Sequence, residues 1–331
     1  MRIPSPLLWL VAAALLPAPA PAQHAVEAVV SVALVVILFD GGRGIGLERF
    51  RTAAVPVLSL GLVGTFATVV GAAIAAHLLL DVSWYFAVLV ATAVAPTDPA
   101  VVFSVLGGQQ IEGRSGTVLE GESGANDPVG IALMAALLDA GSLSGHALGD
   151  AAVAFALQLV VGTLVGVVAG SLLRPLPNAF ALLVVPAAFV LADLSHGSGF
   201  LAVFVAAIIA GQRTAHVHPL VGTTGEAVAF VALGLTVPLA VLGRADVLLP
   251  AVALALAVVV VRFVVCWPLL APTALSTGER RFVLLSGLKG AVPLLLGSMI
   301  GDARLYAVTV VVVVLSVLVQ GALVPRLTRD L

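Results

Sequence analysis

Three short stretches of this sequence place ionisable or hydroxyl side chains inside otherwise apolar runs. The first is Ala95-Pro96-Thr97-Asp98-Pro99. Each proline removes a backbone donor and obstructs the carbonyl one turn earlier. A helix through this stretch should break, leaving free carbonyls beside Asp98 and the Thr97 hydroxyl. Asp98 also suits the cap of a following half-helix. The second stretch is Glu120-Gly121-Glu122-Ser123-Gly124-Ala125-Asn126-Asp127-Pro128. At helical spacing Ser123 and Asp127 share one face, and Glu122 and Asn126 an adjacent one. Asp127 opens a wholly apolar segment that runs to Leu138, so it should sit deep. Desolvation favours a carboxylate's protonated form and a neighbouring cation its charged form, so such a group can trade a proton for a metal ion. The third stretch is Gly287-Leu288-Lys289-Gly290-Ala291-Val292-Pro293, which holds the single lysine among 15 basic residues.

Other polar residues carry weaker signals. Arg262 lies between Val258–Val261 and Phe263–Val265, a second deep cation with no partner identifiable from spacing. Asp40, in Leu38-Phe39-Asp40-Gly41-Gly42, closes an apolar run and reads equally as a site acid or an interfacial charge. His216 and His218 lack the further ligands a structural metal would need, so no metal and no cofactor is expected. Cys266 stands alone, which rules out an intrachain disulfide. Gly197-Ser198-Gly199-Phe200-Leu201-Ala202-Val203-Phe204 has the small residues that let membrane helices approach closely.

The elements that must hold these residues are membrane helices. Of 331 residues 61% are apolar and 10% charged, with mean hydropathy +1.20. A soluble domain carries about 25% charged residues. A net charge of −2 offers nothing to nucleic acid. About twelve apolar runs approach the roughly 20 residues that cross a bilayer: 5–22, 24–40, 54–80, 84–106, 118–138, 150–173, 178–194, 198–212, 226–243, 246–271, 281–300 and 304–325. No linker between them could house a soluble domain, so residues 1–331 read as one transmembrane domain. With Arg2 inside and the spans alternating, eleven arginines fall in inside loops (Arg2, Arg43, Arg49, Arg51, Arg114, Arg174, Arg213, Arg280, Arg281, Arg326, Arg329) and two outside (Arg244, Arg304). That bias predicts an inner-membrane protein with both termini cytoplasmic. Residues 1–22 read either as a short first span or as a cleaved signal, and the charge pattern favours the span. Two interrupted spans, one early and one late, are the mark of an inverted-repeat transporter.

Taken together, Thr97-Asp98-Pro99, Gly121-Glu122-Ser123 with Asn126-Asp127, and Gly287–Pro293 resemble the sodium/hydrogen exchanger family of cation:proton antiporters, in particular its bacterial cell-volume-regulation type. Phe39-Asp40-Gly41-Gly42, Gly197–Val205 and Leu315–Gly321 extend the resemblance over most of the chain. It implies an all-α membrane fold with inverted repeats and two interrupted, crossing helices, a homodimeric scaffold, and a core that moves as an elevator. It also implies exchange of Na⁺ or K⁺ for H⁺, with Asp127 binding cation and proton in competition. Thr97, Asp98, Ser123 and Asn126 would line the ion site, and Asp40 would reach it through water. Glu122 would pair with a basic residue at position 289, usually arginine but here lysine, which lacks the bidentate fork. Asn126 before Asp127, in place of a second acid, resembles the electroneutral branch. Arg2-Ile3-Pro4-Ser5-Pro6-Leu7-Leu8 resembles the start of the family's second helix, so neither the family's first helix nor its cytosolic regulatory domain is expected within these residues.

Three other readings compete. A passive channel also uses polar constrictions, but two interrupted helices favour alternating access. A truncated paralogue that no longer transports would keep the same motifs. An intramembrane aspartyl protease would need Tyr-Asp and Gly-x-Gly-Asp contexts, and the sequence has neither.

Overall fold

The computed structural model describes residues 4–17, 21–107, 111, 113–177, 180–211 and 220–328. Arg2, Arg213, His216, His218 and Arg329, used above for orientation and metal binding, lie outside them. All regular structure among the described residues is helical, as expected where backbone polar groups must be satisfied within the segment itself.

The chain opens with α1 (Ser5–Ala14), which has Pro6 in its first turn. There the missing N–H costs nothing. Its Leu7, Leu10 and Ala13 are buried, so residues 5–14 form a packed element of the core. α2 (Gln23–Leu58) continues through a π-helical turn at Ser59–Gly64 into α3 (Thr65–Leu80). These 58 residues would measure roughly 87 Å as a straight helix, against a hydrocarbon core of about 30 Å. Gly46, at φ +66°, divides the stretch in a conformation that glycine alone adopts without strain. Two spans therefore arise here, where the sequence predicts 24–40 and 54–80.

α4 (Trp84–Val94) and α5 (Pro99–Val105) meet at a 50° bend. α6 (Arg114–Ala140) and α7 (Gly145–Leu173) follow, then α8 (Ala181–Leu194) and α9 (Gly199–Ala210). α10 (Leu220–Gly234), the short α11 (Leu239–Leu242) and α12 (Ala245–Leu270) lead to a second interrupted pair, α13 (Thr277–Leu285) and α14 (Ala291–Met299). α15 (Ala303–Leu315), a π-helical turn at Ser316–Gln320, and α16 (Gly321–Leu327) complete the order. Among the described residues each of the twelve apolar runs contains helix, the first only over Ser5–Ala14. The breaks at residues 95–98 and 286–290 coincide with the proline and glycine clusters.

Packing separates two environments. Along α7, Val153, Val160, Leu164 and Val168 are each more than half exposed, a surface that belongs in lipid. Its opposite edge meets α9 through Gly162, Gly166 and Gly170, where an added Cβ would lie 2.6–2.7 Å from the backbone oxygens of Ser198, Ala202 and Ala206. α4, α6, α14 and α15 are instead enclosed on nearly every side. The polar residues singled out above sit mostly there.

Candidate functional site: a crossing of two interrupted helices

At the two breaks the chain leaves helix ends inside the protein, with donors and acceptors that no intrahelical bond satisfies. The two breaks are joined directly: the Asp98 N–H donates to the Leu288 carbonyl at 2.7 Å. Two helix N-termini (α5, α14) and two C-termini (α4, α13) converge, so partial charges of both signs must be balanced.

Asp98 supplies the negative balance. It caps α5, accepting from the Ala100 N–H at 2.8 Å, and the N–H groups of Val101 and of Ala291 in the first turn of α14 lie close enough to act on it. One carboxylate thus serves both positive helix ends. Gly290 is what lets it approach, because a Cβ there would collide with the Asp98 carboxylate.

Lys289 supplies the positive balance. Its Nζ donates to the carbonyl of Ala95, the C-cap of α4, at 2.9 Å, and Lys289 is 2% exposed. It stays within the protein and does not snorkel to the interface. The remaining C-terminus, that of α13, is met by Gln320, whose Nε2 donates to the Leu285 carbonyl at 3.0 Å. Ser316, one π-turn earlier, donates to Gln320 Oε1 at 2.7 Å and accepts from the Lys289 N–H at 3.1 Å. The π-helical turn places both side chains on the break.

The structure pairs Glu122 differently from the arrangement that the resemblance implies. Its partner is Arg262 of α12, with Nη2 2.7 Å from Oε1 and both residues buried. Arg262 Nε also donates to the Leu284 carbonyl at 3.3 Å. Gly287 makes room for the guanidinium, since a Cβ there would lie 2.5 Å from Nε. The reason is chemical and spatial. A guanidinium forms the better pair with a carboxylate, and α12 brings one alongside, which leaves the ammonium of Lys289 to the α4 carbonyl. The deep cation without an evident partner in the sequence is therefore the partner of Glu122.

Between these charges lies a small polar network. Asn126 Nδ2 donates to Thr97 Oγ1 at 2.9 Å, the Thr97 N–H returns to Asn126 Oδ1 at 3.3 Å, and Thr97 Oγ1 is 3.1 Å from Ser123 Oγ. Asp127 follows Asn126 on α6 and is 8% exposed, with Oδ1 enclosed and without a hydrogen-bond partner among the described residues. It lies near enough to Asp98 and Lys289 to feel both charges. Thr97, Asp98, Ser123, Asn126, Asp127 and Lys289 are thus one cluster. Asp40 lies apart, in an ion pair with Arg43 at 2.9 Å, its side chain 35% exposed.

Two features escaped the sequence reading. Gln320 was visible only as part of a motif, with no signal for its capping role. Glu226 sits two turns inside α10 yet is 6% exposed. The apolar run 226–243 starts at this residue, and its spacing gives it no role. The signal available was its position after Gly222 and Gly225 within one continuous helix. Among the described residues no three His, Cys, Asp or Glu side chains are grouped to hold a structural metal.

Interrupted helices that cross about compensating charges are the architecture of broken-helix integral membrane proteins. Comparison with known proteins narrows this. The sodium/hydrogen exchanger transmembrane family matches residues 1–329, and the chain belongs to that family. It is 33% identical over 320 residues to the K(+)/H(+) antiporter NhaP of Alkalimonas amylolytica, covering 88% of this chain and 55% of that protein. It is 29% identical over 202 residues to the Na(+)/H(+) antiporter NhaH of Halobacillus dabanensis, covering 57% of this chain and 50% of that one. The chain therefore spans about half the length of these relatives. The fold matches that of the sodium proton antiporter MjNhaP1 from Methanocaldococcus jannaschii, with TM-score 0.80 at 18% identity over 98% of this chain and 91% of that one.

Proposed function

We propose that the chain is the transmembrane domain of a secondary antiporter that exchanges a monovalent cation, Na⁺ or K⁺, for a proton. The observation that carries this reading is the enclosed, unpartnered Oδ1 of Asp127 beside a hydroxyl and amide cluster. Every other charge at the crossing has a fixed partner: Asp98 the helix N-termini, Lys289 the α4 carbonyl, Glu122 the Arg262 guanidinium. Asp127 alone is left to take either a proton or a cation. Thr97 and Ser123 offer neutral oxygen ligands, with the Asn126 amide locked against Thr97. Such hard oxygens suit a partly dehydrated alkali cation.

Each step follows from charge balance. With a cation at Asp127 the carboxylate is ionised, and with a proton there it is neutral. In either state the loaded site carries the same charge, so both can cross the barrier. The empty, ionised site is an isolated charge in a low dielectric, at a cost of several kcal/mol even after relaxation, and should not cross. One proton then exchanges for one cation, and the cycle is electroneutral. Alternating access would come from an elevator movement of the crossing against the outer helices, in a homodimer held in the inner membrane with cytoplasmic termini.

Reconstitution into liposomes tests the reading. An imposed pH gradient should drive uptake of Na⁺ or K⁺ by the wild-type chain, and Asp127→Asn should abolish it while the protein still inserts. A membrane potential set by valinomycin, with Na⁺ as the tested cation, should leave the rate unchanged. Exchange retained by Asp127→Asn would remove that residue from the centre of the site, and clear acceleration by the potential would overturn one-for-one exchange.

A further inference from the structure

Among the described residues, Glu226 is the one enclosed acid with an unpartnered oxygen that the crossing does not account for. Its Oε1 is buried and has no hydrogen-bond partner among the described residues. A carboxylate taken out of water without donors is costly, and a membrane-embedded acid marks a functional pathway by default.

Its place in the fold indicates which pathway. One turn before it on the same face of α10 is Gly222, where an added Cβ would lie 2.6 Å from Asp40 Oδ2. Asp40 is the partly exposed acid of α2. α10 therefore passes Asp40 at Gly222 and one turn later presents Glu226, whose carboxylate feels the charge of Asp98. Asp98 in turn is coupled by charge to Asp127. The charged group that acts on Glu226 is thus Asp98 from the α4–α5 break, with the Asp40–Arg43 pair of α2 beside Gly222, one turn earlier on α10. In order, Asp40, Glu226, Asp98 and Asp127 run from a partly exposed carboxylate to the enclosed site.

Ion-pair bookkeeping isolates the same residue. Asp40 is paired with Arg43 and Glu122 with Arg262. Asp98 is held by helix ends. With Glu120 beside Arg49, the enclosed acids without a fixed counter-cation among the described residues are Asp127 and Glu226. A carboxylate kept only as packing would be better replaced by an apolar residue of similar size, because a buried polar group lacking partners is destabilising.

We propose that Glu226 is the proton-transfer residue between Asp127 and the water that reaches Asp40. As a cation arrives at Asp127, Glu226 gives its proton to water beside Asp40, and the proton leaving the Asp127 carboxyl refills it. In the return direction both transfers reverse. Glu226 ends each transfer as it began, so one proton moves per cation and the stoichiometry stays one to one. Gly222 belongs to this route, since a side chain there would push α10 off Asp40. The proposal rests on the antiport reading above and assigns a path to its proton.

The test separates cation binding from proton transfer. Full-length wild type, Glu226→Gln and Glu226→Asp are reconstituted, and two fluxes are measured: Na⁺ uptake driven by a pH gradient, and isotopic Na⁺/Na⁺ exchange at equal pH. The second needs no proton movement. Glu226→Gln should lose at least about a hundredfold in the proton-driven flux, the lower end of what a positioned proton donor contributes, while Na⁺/Na⁺ exchange persists. Glu226→Asp should recover most of the lost flux. Two results overturn the proposal: equal loss of both fluxes, which makes Glu226 a cation ligand or a folding determinant, and no loss in either. A wild-type chain inert in both assays sinks the antiport reading itself, and the proton path with it.

Discussion

The α7–α9 layer and the helix crossing solve the same problem, holding helices together in lipid, by opposite means. In the α7–α9 layer the interface is made of Gly162, Gly166 and Gly170 set against backbone oxygens, with no charge involved. Packing and close backbone approach are the attraction available between apolar helices in a lipid solvent. At the crossing the contacts are polar, and each helix end is tied by one side chain: Asp98, Lys289 or Gln320. The first arrangement has no alternative state that differs in charge. In the second, among the described residues, Asp127 is the one carboxylate with neither an ion-pair partner nor a helix end to cap. Rigidity and function are thus divided between regions built from different residue types.

The largest stability effects should come from the crossing. Removing one member of a buried ion pair strands the other and typically costs about 3–5 kcal/mol. Glu122→Gln and Arg262→Met should each lower thermal stability by that order, and the double variant should lose less than the sum. Glu122→Gln combined with Lys289→Met should show a smaller coupling, because those two side chains serve different partners and interact only through their charges. Coupling between Glu122 and Lys289 in place of Arg262 would reverse the assignment.

A smaller loss is expected in the small-residue layer. Gly166→Leu must displace α9, since a Cβ alone would lie 2.6 Å from the Ala202 oxygen and 2.8 Å from the Val205 Cβ. Overpacking of this kind typically costs about 1–3 kcal/mol. The variant should melt earlier but keep the wild-type cation affinity in whatever folds. A changed affinity would show that the two regions are not separable. The smallest effect belongs to Asp40→Asn. Its pair with Arg43 is partly exposed, and such pairs contribute about 0–1 kcal/mol, so thermal stability should barely move. A loss comparable to that of Glu122→Gln would mean Asp40 is structural.

How much of this was legible in the sequence depends on how local each signal was. The breaks could be read because Pro96, Pro99, Gly287, Gly290 and Pro293 act on their own backbone within a turn. Asp98 could be read as a cap for the same reason. The cluster of Thr97, Ser123, Asn126 and Asp127 needed only helical spacing on α6 and the proximity of one break. The partner of Glu122 was not legible, since it depends on which of two cations α12 and the α13–α14 break deliver to the same depth. That is a property of packing, with no trace in spacing. Glu226 was missed because its run was counted from the charge onward, whereas α10 begins two turns earlier at Leu220. Gln320 was missed because a neutral amide in an apolar run gives no electrostatic warning, although it satisfies a helix end as Lys289 does.

The central claim is that Asp127 binds a proton or a cation and never both. Titrating the purified chain with Na⁺ or K⁺ in weakly buffered detergent solution, while recording released protons, tests it most directly. The account predicts about one proton released per cation bound at a pH where the empty site is protonated, and neither binding nor release in Asp127→Asn. Cation binding without proton release, or full release by Asp127→Asn, would contradict it.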